Sequence, residues 1–140
     1  MVLKTSFEIL NLIFPILNVA NVTSLISGEV YRTRRPVNSD SQDITVSVLS
    51  IVETNDVVQE AIVNINIFIK NIRSDDYAGL PDETKLKTVA DAVIIELDGY
   101  SDTSTYFNFD IIWMNSLPDE DNKKDSYYNI RLNCRIENNK

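Results

Sequence analysis

The stretch Val57–Ile72, VVQEAIVNINIFIKNI, decides the architecture. Val63, Ile65, Ile67 and Ile69 recur at every second residue, with Ile62, Asn64, Asn66, Phe68 and Lys70 at the alternate positions. A period of two, β-branched on one side and amide-rich on the other, predicts a long strand with one face on a core. Upstream, Ile44–Thr54 alternates too, with Ile44, Val46, Val48 and Val52 against Thr45, Ser47 and Glu53, although Leu49 and Ile51 spoil its polar side. A turn at Asn55-Asp56 separates the two runs, so together they predict a long antiparallel hairpin over 44–72.

Helices flank this hairpin in sequence. Thr5 followed by Glu8 is a capping-box start, and Phe7, Leu10, Phe14 and Leu17 continue at helical spacing, with Ile9, Ile13 and Ile16 alongside. Pro15 implies that this helix kinks or ends nearby. A short element follows before Gly28, and Glu29–Arg35 reads as extended, because Arg35 precedes a proline. The run VNSDSQD then forms a loop, read as a hairpin tip, so that a loop or hairpin protrudes around 29–43. Past the long strand, Pro81, Asp82 and Glu83 open a second helix. Its stripe is Leu86, Val89, Ala90, Val93, Ile94 and Leu97, ended by Gly99. Two further strands close the chain. Thr105–Leu117 places Phe107, Phe109, Ile111 and Trp113 on a core face, and Tyr128–Glu137 alternates through Ile130, Leu132, Cys134 and Ile136. The fold class is therefore α+β: a mostly antiparallel sheet with a long hairpin and two helices on one face, in a single domain spanning 1–140.

Composition narrows the chemistry. The chain has 140 residues, no His and one Cys. The commonest general base and the commonest transition-metal ligand are thus missing, and no intramolecular disulfide is possible. The three glycines, Gly28, Gly79 and Gly99, are too dispersed for a phosphate-binding loop. Leu117–Ser126 is acidic, yet it lacks the central Gly and closing Glu of a calcium loop. Asp75 with Asp76, or Asp119 with Asp121, would be the carboxylates of a metal-dependent enzyme, the weakest of the readings. Cys134, alternating with core residues, reads as a buried inert thiol. The expectation is a protein without catalysis, metal or cofactor. The apolar N-terminal stretch is interrupted by Glu8, Asn11 and Asn18 and reads as a core-facing helix, not a leader or a membrane span.

Charge is unevenly placed. The net charge is −8, yet residues 1–36 carry Lys4, Arg32, Arg34 and Arg35 against Glu8 and Glu29. Such asymmetry suggests contact between copies or with a partner. Arg32, Arg34 and Arg35 are accordingly candidate interface residues. Asn64, Asn66 and Phe68, polar but uncharged residues beside an aromatic one, suit a subunit-facing side of the sheet, or alternatively the groove of a small ligand-binding or adhesion module of a bacterium.

The order of these segments resembles the tail-terminator and neck-ring (head-to-tail connector) proteins of tailed bacteriophages. Gly28, Val30, Tyr31 and Pro36, then Asn64 and Ile65 on the second long strand, match that family's outline. The resemblance implies a non-catalytic virion protein, assembled in the host cytoplasm and located in the neck or tail. It implies a homo-oligomeric ring, a hexamer or dodecamer, joining the capsid connector to the tail. Other neck and tail proteins would be its partners, DNA would be passing cargo in the lumen, and no membrane would be involved. The Arg-rich passage would then lie at a subunit or ring-to-ring contact.

Overall fold

The structure, a computed structural model, describes residues 3–53, 57–72, 79–100, 107–120 and 124–137. Helix α1 (Ser6–Leu17) starts at the expected capping box: the Thr5 side chain accepts from the Glu8 N–H, and the Glu8 carboxylate accepts from the Thr5 N–H. Pro15 lies in its last turn, and the helix ends two residues later. A four-residue helix, α2 (Ala20–Thr23), follows. Then come β1 (Val30–Arg32), β2 (Asp43–Glu53), β3 (Val58–Lys70), α3 (Glu83–Gly99), β4 (Phe107–Pro118) and β5 (Asp125–Glu137).

The five strands form one sheet in the order β1-β2-β3-β5-β4. The hairpin is present: β2 and β3 pair antiparallel from Asp43↔Phe68 to Glu53↔Gln59. The predicted turn at Asn55-Asp56 falls outside the described residues. β5 inserts between β3 and β4, and both of its pairings are antiparallel. The exception is β1, which pairs parallel to β2 through Val30↔Ile44 and Arg32↔Val46. Residues 33–42 are therefore a crossover loop, not a hairpin tip. Parallel neighbours need such a connection because the chain must travel back before it can pair again.

That return begins with Thr33 and turns again at Asn38, at φ of 71° and 58°. The Thr33 N–H is anchored on the Val46 carbonyl at 2.7 Å. Where the crossover rejoins β2, Gly28 donates to the Gln42 carbonyl at 2.8 Å, and a Cβ there would stand 1.9 Å from Asp43 Oδ1. No other residue type fits so close an approach.

The core lies between one sheet face and the helices. Ile44 and Val46 of β2, Val63, Ile65, Ile67 and Ile69 of β3, and Ile130, Leu132, Cys134 and Ile136 of β5 are shut off from solvent. Ile9, Leu10, Ile13 and Leu17 of α1, with Leu86, Val89, Ala90, Val93 and Leu97 of α3, cover them. Two bulges correct the strand patterns read from sequence. The shift between Val48 and Ser50 turns Ile51 towards the core and leaves Val52 exposed, which accounts for the spoiled alternation. The shift between Ile111 and Trp113 turns Trp113 to the other face. It is half exposed and is not part of the core stripe that Phe107 and Phe109 belong to.

Candidate subunit interface

The sheet face away from the helices carries the expected polar row. Asn64 and Asn66 on β3 stand beside Asn129 and Arg131 on β5. The Asn129 amide donates to Asn66 Oδ1 at 2.7 Å and to Asn64 Oδ1 at 3.3 Å, and Arg131 Nε donates to Asn64 Oδ1 at 3.0 Å. Amide ladders of this kind fix side chains flat on a sheet without filling it with hydrocarbon. Trp113 and Leu117 of β4 and Tyr127 of β5 border the row, leaving an open depression of about 270 Å³.

At one end of this face lies a cluster that the sequence did not announce. Arg35, half-buried on the crossover loop, directs its guanidinium at three carboxylates. It reaches Asp125 at 2.8 Å, Asp119 at 2.9 Å and Asp43 at 3.4 Å. The ring of Phe68 lies beneath it, 3.9 Å from guanidinium carbon to ring centroid, and Tyr127 packs on Phe68 at 5.4 Å. Ser39 donates to Asp43, and Lys70 approaches Asp125 at 3.7 Å. Asp43 and Asp125 are almost without solvent contact. A buried carboxylate requires a cation and hydrogen bonds, and Arg35, with its planar fork over an aromatic face, supplies several at once. The crossover loop is thereby tied to the β4–β5 connection, some ninety positions away in sequence. Asp43, Asp119 and Asp125 are scattered along the chain, so no local motif could have revealed the cluster. The visible hint was an acidic loop and a basic passage in one chain.

The three arginines thus divide. Arg35 is engaged within its own chain. Arg32 lies against α1, with Nη1 donating to Asn11 Oδ1 at 2.7 Å, Nη2 donating to the Phe7 carbonyl at 3.3 Å, and the Phe14 ring 5.8 Å from its guanidinium carbon. Arg34 is exposed and forms no ion pair among the described residues. It borders, with Arg35, Asn66, Phe68 and Asp119, a second depression of about 420 Å³. Asn66 lines both depressions, so the Arg-rich loop and the amide row make one continuous surface. Desolvation, then the neighbouring carboxylates of Asp43 and Glu29, raise the Tyr31 phenol above its ordinary value.

Of the carboxylates considered for metal chemistry, Asp75, Asp76 and Asp121 fall outside the described residues. Among the described residues no group of His, Cys, Asp or Glu is arranged to hold a metal ion. Burial pushes the Cys134 thiol up to about 12, which keeps it protonated at neutral pH. No described helix is long and apolar enough to cross a membrane.

No family model matches the sequence, and no curated protein does. Among solved structures the chain is similar to one from the virion of a native gene transfer agent particle. The two share 12% sequence identity at a TM-score of 0.63, over 89% of this chain and 91% of that one. The likeness extends nearly end to end on both chains, so the two share a fold.

Proposed function

We propose that the protein is a structural component of a virion. It forms a homo-oligomeric ring in the neck or tail of a phage-like particle, where it joins the capsid connector to the tail and surrounds the DNA channel. One observation carries this reading. The fold is that of a chain in the virion of a gene transfer agent, matched over nearly its whole length. The passage that resembles neck-ring proteins independently points the same way. The contact surface includes exposed Arg32 and Arg34, with Arg35 fixing the loop that presents them. Asn64, Asn66 and Phe68 form the adjoining floor. An acidic exterior suits a channel wall, because like charge keeps DNA from adhering as it passes.

Sedimentation of the purified chain across a salt series tests the proposal. Association that weakens with salt and is lost in Arg34→Glu is the expected result. A monomer that saturably binds a small ligand beside Asn64 and Asn66 would favour the ligand-binding or adhesion module instead, for which the depression of about 270 Å³ is the available groove.

A further inference from the structure

The two edges of the sheet are unlike. β4 is a twelve-residue edge strand whose outer side has no strand beside it among the described residues. Ile112, Trp113 and Met114 stand in a row on it, 51%, 50% and 46% exposed. The bulge creates this row by setting Ile112 out of register, so consecutive apolar side chains splay to both sides of the edge. Long apolar edges invite pairing, and natural proteins usually shorten them or cover them with charge. Neither has happened here. β4 has a single charged side chain, Asp110, and no basic one. Helix α3 carries Glu83, Asp91, Glu96 and Asp98 against Lys85 and Lys87, and Lys87 is paired with Asp91.

The opposite edge is complementary. β1 has three residues, and α1 beside it exposes Phe7 (70%). Arg32 and Arg34 lie at the surface of that edge. One end of the sheet thus carries Phe7 with Arg32 and Arg34 exposed among Glu8 and Glu29, and the other is apolar with an acidic excess.

Resting on the ring reading above, we infer that the β4 edge of one copy, with Ile112, Trp113 and Met114 at its centre, receives the α1–β1 edge of a second copy. The contact is heterologous: two different patches meet, so every copy in a row still offers one free edge of each kind. Repetition of such a contact closes into a ring when the rotation between neighbours allows it. Complementary charge at the rims sets the orientation, and the apolar centres supply the burial.

Trp113 is the chain's single tryptophan, so it reports directly on this contact. In the wild type, assembly is expected to shift its emission to shorter wavelength and to reduce acrylamide quenching severalfold. Rings whose Trp113 stays as quenchable as in the monomer overturn this inference and leave the ring reading standing. A wild type that never self-associates overturns both. Complementation gives a second, independent reading. One variant carries Ile112→Lys with Met114→Lys, the other Phe7→Asp with Arg34→Glu, all at exposed positions. Each alone is expected to be a folded monomer, and an equal mixture is expected to stop at a dimer, because only one productive pair of edges remains. A mixture that stays monomeric, or either variant assembling like the wild type, overturns the edge-to-edge contact. If a variant fails to fold, the tryptophan measurement on the wild type decides.

Discussion

At the scale of single residues, Arg35 has the largest structural consequence. Replacing it with Met leaves the carboxylates of Asp43 and Asp125 buried and deprived of their main cation, with Lys70 only partly compensating. The expected cost is about 3–5 kcal/mol of folding stability, the range for breaking one partner of a buried ion pair. Urea unfolding of Arg35→Met checks it, and a loss below about 1 kcal/mol, the worth of a surface pair, would show that the cluster is surface decoration. Arg34→Glu, one position away, should leave stability nearly unchanged, because its side chain touches solvent. Cys134 offers a second test. Its thiol is fully buried and its pKa is raised from an ordinary 9.0 to about 12. Iodoacetamide should therefore fail to label the native protein and should label it promptly in denaturant. The unfolded chain releases this proton first, so the Cys134 contribution to stability is complete below about pH 9 and declines as pH rises from 9 towards 12.

Among the elements, β3 holds the sheet together, pairing along its whole length with β5 and from Gln59 to Phe68 with β2. Ile65→Ala, at its buried centre, should cost about 2–5 kcal/mol, while Ile112→Ala on the exposed edge should stay within about 0.5 kcal/mol. Thermal unfolding of the two variants side by side checks the contrast. β3 was also legible in the sequence, because Val63, Ile65, Ile67 and Ile69 keep a strict period of two with no bulge among them. α3 was legible for the corresponding helical reason, its stripe from Leu86 to Leu97. What escaped was whatever local pattern does not encode. A bulge adds one residue and reverses the facing of all that follow, so Trp113 read as core and Ile51 as an intrusion. The parallel placement of β1 escaped because direction depends on where the crossover loop lands. That loop is anchored by Arg35 on aspartates distant in sequence. Of the candidate site, the amide row at Asn64 and Asn66 and the exposed Arg34 were visible in the sequence. Asn129, Arg131 and the carboxylates around Arg35 were not, since each meets its partner only through pairing of distant strands.

Seen whole, the molecule is a sheet with one face under helices, one polar face open, and edges of opposite character. The helices bury the apolar face, while the other face and the β4 edge are left uncovered among the described residues. The charge arrangement belongs to this scale as well. Arg32 and Arg34 sit at the β1 edge, and the remainder of the chain carries the net negative charge. Contacts built on such complementarity weaken as salt screens them, with a Debye length near 8 Å at physiological ionic strength. The most direct measurement of the central claim is light scattering on the size-exclusion peak at low salt, with negative-stain images of the same fraction. The account predicts closed rings of uniform size that dissociate at high salt and do not form in Arg34→Glu. A monodisperse monomer at every salt and protein concentration would contradict it.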